Sequence, residues 1–184
     1  MNSTPQKQRL LLHICCAPDA TIPWPKLLES YDVTGFFYGS NIHPIEEYAK
    51  RADSVEILRK SLSGEVFFPP YEPEAWHAKA DKLKGEPEGG ARCAVCFREQ
   101  FEATAKCASE NNFEFITTTL TISPHKNVKL INEIGQAVAS RYGVKWLDFV
   151  WRKNNGFLAS IKRSKELGLY RQNYCGCIWS KRDD

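Results

Sequence analysis

No stretch of the 184-residue chain approaches the roughly 20 apolar residues that cross a bilayer as a helix. The apolar run Leu10 to Ala17 is short and is interrupted by His13, and the polar residues before it lack the form of a secretory signal. A cytoplasmic protein without a membrane partner is expected. Internal repeats and low-complexity segments are also missing, which excludes solenoid architectures. Charge of one sign is scarce. The net charge is +3, too little for overall charge to announce a nucleic-acid binder. Only Trp151 to Asp184 is locally basic, with eight Lys or Arg against three acids. That stretch suits either a solvated helix face with a polar tail or a surface for an acidic partner. With 42% hydrophobic and 26% charged residues, the rest is ordinary for a soluble globular protein. A disordered leader is expected over 1–8 and one domain over 9–184, long enough to bury a core without disulfides.

Cysteine is what the chain has in quantity. Six of its seven cysteines form three pairs: Cys15 with Cys16, Cys93 with Cys96, and Cys175 with Cys177. In a reducing compartment they are metal ligands or catalytic thiols before they are disulfides. The pairs lie near the start, middle and end, so the fold has to bring three remote segments to one point. Cys107 stands outside the pairs, beside the apolar stripe of a predicted helix, and reads as packing.

Five strands are predicted, at Arg9 to Ile14, Val33 to Tyr38, Glu65 to Phe68, Phe113 to Thr119 and Lys145 to Phe149. Helical patterns alternate with them, opened by Pro23, Pro44 and a segment near Cys93, and closed by Gly143 and Gly168. After the first strand Pro18 blocks continuation, and Cys15 to Asp19 is read as a loop. Alternation of this kind predicts an α/β, doubly wound, mostly parallel sheet in a single domain, followed by a cysteine-bearing C-terminal tail. Ligands of such sheets bind beyond the carboxyl ends of the strands. That edge receives the first cysteine pair, the Asn41-Ile-His43 turn after the second strand, and the Thr119 to Lys126 loop after the fourth. The segment Lys84 to Ala91 (KGEPEGGA) is the most loop-like in the chain and is either a lid or a linker.

Cys93 and Cys96 sit three apart at a helix start, so both sulfurs share one side of the first turn. A helix N-terminus favours thiolate, and Arg92 adds charge. All three pairs together offer six candidate thiolates, whereas a cubane cluster or a structural zinc takes four. The surplus, with Asp19 four residues after Cys15, suits a second divalent ion with an open coordination position. Adjacent cysteines in an extended segment point apart, so Cys15 and Cys16 are expected to serve different metals. His13 reads as a core histidine before a ligand. His43 suits either bracing its loop or touching a substrate. Ser123 and Lys126, in a hydroxyl-rich loop, suit a phosphate or sugar, or else a helix cap and a surface lysine. A zinc-stapled RNA-binding module without catalysis remains the rival reading.

The segments His13-Ile-Cys-Cys-Ala-Pro18, Tyr38-Gly-Ser-Asn-Ile-His-Pro44 with Tyr48 and Arg51, Arg92-Cys-x-x-Cys96, Thr118-Thr-Leu-x-x-Ser-Pro-x-Lys126 and Tyr170-Arg-Gln-x-Tyr-Cys-Gly-Cys177 resemble the QueH-type epoxyqueuosine reductases. The resemblance runs from about Leu10 to Ser180. It implies an adenine-nucleotide α-hydrolase-like fold and a cobalamin-independent oxidoreductase. It also implies a [4Fe-4S] cluster with a neighbouring mononuclear iron, and two partners, an electron donor and tRNA carrying epoxyqueuosine. Within that reading Cys16, Cys93, Cys96 and Cys175 are expected to hold the cluster, with Cys15, Cys177 and Asp19 on the second metal as the catalytic group. Asn41, His43, Ser123, Lys126 and Arg171 are expected to meet the substrate, and Tyr38 or Tyr170 to stack on an extruded base. An ATP-using tRNA thiolase on a similar fold would need a glycine- and serine-rich loop after the first strand. This chain has Cys-Cys-Ala-Pro-Asp19 there, with no glycine.

Overall fold

Strand β1 (Arg9–His13) owes its position to an unbroken apolar run. Leu10 and Leu12 face one side and Leu11 the other, and all three are fully buried. At about 1.5–3 kcal/mol for each buried leucine, only a central strand with both faces covered satisfies such a sequence. In the computed structural model, which describes residues 6–181, β1 is that strand.

In chain order there follow α1 (Ala17–Ala20), α2 (Pro23–Leu28), β2 (Asp32–Phe36), α3 (Ile45–Leu62), β3 (Glu65–Phe67) and α4 (Pro73–Ala80). The second half holds α5 (Ala91–Glu110), β4 (Phe115–Thr118), α6 (Val128–Arg141), β5 (Lys145–Trp146) and α7 (Gly156–Glu166). All strand pairs are parallel, in the order β3-β2-β1-β4-β5. The chain winds one way from β1 to β3 and the other way through β4 and β5. The direction reverses between β1 and β4, which leaves a crevice at their carboxyl ends.

One face of the sheet is closed by α5 and α6, whose Phe97, Phe101, Ile131 and Val138 pack against Leu11, Ile116 and Trp146. Gly135 of α6 lets the helix approach Trp146 closely, because a Cβ there would lie 2.4 Å from the indole. The other face is closed by α1, α2 and α3, with Trp24, Leu27, Val55 and Leu58 against Leu10, Leu12 and Val33. The α/β, doubly wound parallel sheet expected from the alternating pattern is present. Asn127 caps α6 by accepting from Leu130 N at 3.1 Å, and Gly143 ends it with a φ of +70°.

Three differences have physical causes. β1 already ends at His13, ahead of Pro18, and Pro18 occupies the first turn of α1, where its fixed φ and missing N–H are tolerated, so Cys15 to Asp19 is not all loop. Strand β5 is two residues long instead of five, because the Leu147 and Phe149 carbonyls accept from the Thr117 and Thr121 hydroxyls at 2.7 and 2.8 Å. Of the leader expected over 1–8, residues 1–5 lie outside the described residues. Lys7 is bonded to Leu28 O at 2.6 Å, and Gln8 O accepts from Asp32 N at 3.0 Å. No described helix is long and apolar enough to cross a membrane.

Candidate metal centre

The backbone leaves β1 extended through Cys16 and turns at once into α1. That turn, which strand geometry alone does not foresee, carries Asp19 back over the cysteines. Cys15 Sγ lies 3.3 Å from Asp19 Oδ2, 3.3 Å from Thr119 Oγ1 and 3.9 Å from Cys16 Sγ. Ligand atoms of Cys15, Cys16 and Asp19 all lie within 4.8 Å of one another. The loop after β4 fixes the group from the other side, since Cys15 N donates to Thr119 Oγ1 at 3.2 Å. Cys15 is pushed well up by its hydrogen bond to Cys16 and by burial. Burial also raises Asp19, although the Cys15 hydrogen bond and the Arg171 charge oppose the rise. Cys15 and Asp19, crowded into one buried spot, favour their protonated forms until a cation takes the protons' place.

A second group lies behind the first. Cys93 and Cys96 project from the start of α5, and Cys175 and Cys177 come from the tail. With Cys15 they line one cavity, walled by Trp76, Phe97 and Leu120. Cys96 is pushed well up by burial and then by Cys175, Cys177 and Cys93, so the four sulfurs act on one another electrostatically. No three of them lie within the 4.8 Å that unites the first group. Four thiolates closed on one zinc at about 2.3 Å would stand roughly 3.8 Å apart. The wider ring, with no disulfide among its members, fits a polynuclear iron–sulfur centre better than a single ion. The indole N–H of Trp76 is buried on this cavity without a partner, and an anionic sulfur centre would satisfy it.

The tail is irregular backbone and is held from outside. Arg51, 2% exposed, donates from Nε to Glu47 at 2.8 Å, from Nη1 to Cys175 O at 2.9 Å and from Nη2 to Tyr174 O at 3.1 Å. The Tyr170 hydroxyl donates to the other Glu47 oxygen at 2.8 Å. His43 N donates to Gly176 O at 2.8 Å, and the Tyr174 hydroxyl donates to His43 O.

In front of the metal groups opens a polar basin of about 550 Å³, which shares Cys15, Leu120 and Cys175 with the cavity behind it. Asp19, Ser123, Lys126 and Arg171 line it. Lys126 Nζ lies 3.1 Å from Cys175 Sγ and 3.1 Å from Glu88 Oε1. Burial alone would lower its pKa, but Cys175 and Glu88 together push it up, so it is an ammonium.

Several expected roles move. Asn41 lines the inner cavity instead of the basin. Tyr38 packs between the core and the Trp76 cluster, and burial, Glu99 and Cys96 push its pKa up to about 12; it lines neither space. Tyr170 is a strut to Glu47 with its backbone N bonded to Ser54 Oγ at 2.9 Å, so its hydroxyl edge is committed. His43 braces its loop: its ring lies 4.2 Å from that of His77 and 5.6 Å from that of Trp76. The expected ligand division also shifts, because the turn into α1 gives Cys16 to the Asp19 group and leaves Cys177 with Cys93, Cys96 and Cys175. Arg92 turns its guanidinium to the carbonyls of Leu83, Lys84 and Glu86. It thereby pins the Lys84 to Ala91 segment, whose Gly89 N donates to Cys93 Sγ at 3.2 Å. His13 is a core histidine bonded through Nδ1 to Thr118 Oγ1 at 2.8 Å. Gln100, Trp76 and Glu88 were not anticipated. Only Gln100 had a signal, a buried-face position one turn after Cys96.

The family model described as epoxyqueuosine reductase QueH matches residues 10–183. A curated epoxyqueuosine reductase QueH from Acinetobacter baylyi is 40% identical over 179 residues, covering 95% of this chain and 81% of the relative. Its counterpart from Streptococcus pyogenes serotype M1 is 38% identical over 179 residues, covering 94% and 70%. That from Thermotoga maritima is 37% identical over 174 residues, covering 93% and 89%. Among solved structures, the U34-tRNA thiolase NcsA from Methanococcus maripaludis with its [4Fe-4S] cluster superposes with a TM-score of 0.62 at 10% identity, over 96% of this chain and 62% of the thiolase. At that identity the likeness concerns the fold alone. The match from residue 10 to residue 183, together with relatives at 37–40% identity over nearly the whole chain, means that the chain belongs to the epoxyqueuosine reductase QueH family.

Proposed function

We propose that the chain is an epoxyqueuosine reductase acting on tRNA. The reaction breaks both C–O bonds of the epoxide, forms a carbon–carbon double bond, consumes two electrons and two protons, and releases water. The carrying observation is that Cys15, Cys16 and Asp19 meet beside an open polar basin that Cys15 and Asp19 line, while Cys93, Cys96, Cys175 and Cys177 line an adjoining cavity. In this reading the rear quartet holds a [4Fe-4S] cluster and the front trio holds a mononuclear iron. A cluster held there would supply single electrons, and an iron held there would offer a Lewis-acid position for the epoxide oxygen.

The chain's own groups bind and orient. Lys126 and Arg171 give the basin positive charge for the phosphate or ribose oxygens of the modified nucleotide. Ser123 offers a hydroxyl on the same wall. Asp19, a short acidic side chain among sulfurs, leaves the front of its group open to the basin, as a catalytic rather than a closed structural site requires.

The test is incubation of anaerobically reconstituted protein with tRNA carrying epoxyqueuosine and a strong one-electron reductant, followed by mass analysis of the nucleosides. A loss of one oxygen is expected. Absence of conversion by iron-replete protein overturns the reading. A colourless protein holding zinc and no acid-labile sulfide favours the rival RNA-binding module. Asp19→Asn is expected to keep cluster iron, lose the additional iron, and abolish conversion.

A further inference from the structure

Three sulfurs of the rear quartet carry hydrogen-bond donors. Gly89 N serves Cys93, Lys126 Nζ serves Cys175, and Gln100 Nε2 lies 3.1 Å from Cys96 Sγ. The environment of Cys96 differs from the other two. Its observed donor is a neutral, buried side-chain amide that does not line the basin. Gln100 is 3% exposed and also donates to Cys96 O at 3.1 Å. With a sulfur and a carbonyl as its two near neighbours, both acceptors once the thiol is a ligand, the amide has to present its NH₂ side. Its other end lies beside His13, where Gln100 partly offsets the effect of burial on the imidazole, as an amide oxygen does. Trp76 supplies the second donor. Its Nε1–H is buried, has no hydrogen-bond partner and lines the same cavity.

We propose that Gln100 and Trp76 are positioning residues that turn two neutral N–H donors into the cavity of the rear quartet, Gln100 onto the Cys96 sulfur, and so raise the reduction potential of the centre bound there. This rests on reading the quartet as cluster ligands. The physical basis is general: donors to ligand sulfur stabilise the more negative, reduced state of an iron–sulfur centre. The two residues come from different elements, α4 and α5, and converge on one cavity. Neither lines the basin, so their effect on catalysis passes through the centre and not through the substrate.

The experiment is a mediated redox titration of anaerobically reconstituted full-length protein, followed by electron paramagnetic resonance, with iron and sulfide counted on the same samples. Gln100→Leu and Trp76→Phe are each expected to keep wild-type iron. Each should hold about tenfold less reduced centre at a fixed ambient potential, which for one electron is a shift of about 59 mV to the negative side. The double variant should shift further. Thr104→Val is the structural control: its hydroxyl donates to Gln100 O at 2.7 Å one turn along the same helix, and the potential should not move. Iron-replete variants with an unchanged potential overturn the proposal. Loss of the centre from both single variants also overturns it, because the pair would then be structural. A wild-type protein that binds no iron instead refutes the reading of the quartet.

Discussion

Replacing Arg51 by methionine tests how the C-terminal cysteines are held. Methionine keeps much of the aliphatic stem and removes the guanidinium. Every donor group of that guanidinium is engaged, at 2.8 Å to Glu47, 2.9 Å to Cys175 O and 3.1 Å to Tyr174 O. Arg51 and Glu47 are 2% and 7% exposed, so the substitution leaves a buried carboxylate with the Tyr170 hydroxyl as its remaining partner. Removing one member of a buried ion pair costs about 3–5 kcal/mol, a large part of the 5–15 kcal/mol that stabilises an ordinary domain. Urea unfolding followed by tryptophan fluorescence should show that loss. Iron per chain after reconstitution should fall as well, because the carbonyls of Tyr174 and Cys175 lose their anchors. Pairing Arg51→Met with Glu47→Leu removes the stranded charge and should recover most of the stability, since a buried pair replaced by apolar residues is often neutral. It should not recover the iron. A single variant within 1 kcal/mol of wild type, or a double variant that loads fully, would refute the clamp.

Three further outcomes are expected. Gly176→Ala meets a φ of +133° and a Cβ 3.1 Å from Arg51 Nη1; a loss of about 1–3 kcal/mol with reduced iron binding should appear in the same assays. Cys107→Ser should retain all the iron that Cys96→Ser loses, because Cys107 is half-buried on the core flank of α5 and its sulfur contacts Asn111 at 3.7 Å. His13 is held neutral by burial, its pKa lowered to about 3 and only partly restored by Gln100. The unfolded chain therefore binds a proton below about pH 6.5 that the fold refuses. Between that value and about pH 3 this one group should cost about 1.4 kcal/mol per pH unit, with no effect above pH 7. His13→Asn should flatten that slope of apo-protein stability by the corresponding amount.

The legible parts of the fold are those with local causes. A β1 with three consecutive leucines can only be central, Asn127 ahead of an apolar stripe caps a helix, and the edge carrying Cys15 and the Thr119 loop follows from strand order. The grouping of Cys16 with Cys15 and Asp19 was not legible, because it depends on the short α1, whose first turn Pro18 occupies. Tyr170 shows a different limit. An aromatic inside a cysteine motif suggests stacking, yet its hydroxyl is claimed by Glu47, 123 positions earlier. His43 is similar: its backbone serves the tail on both sides, through Gly176 and Tyr174. Such long-range polar partners leave no period in the sequence. Gln100 is the intermediate case, since its helical spacing from Cys96 was visible but its chemistry was not.

Two segments without regular structure form the rim of the site, and each is held by a buried arginine. Arg51 in α3 takes the carbonyls of Tyr174 and Cys175, and Arg92 in α5 takes those of Leu83, Lys84 and Glu86. Irregular backbone lacks a ladder to satisfy its carbonyls, and an unpaired buried carbonyl is costly. Arginine answers that need with several donors in a fixed fork that stays charged at any working pH. Lysine has a rounder, more flexible head, and the chain uses it where contact has to change: Lys126 joins the two segments through Glu88 and Cys175 at the wall of the basin. Of the three cations, the two arginines hold backbone carbonyls, Arg51 with the buried Glu47 carboxylate as well, and Lys126 holds the exposed Glu88 carboxylate at the basin wall. The division of labour between guanidinium and ammonium therefore separates what fixes the cysteine-bearing segments from what faces the open basin.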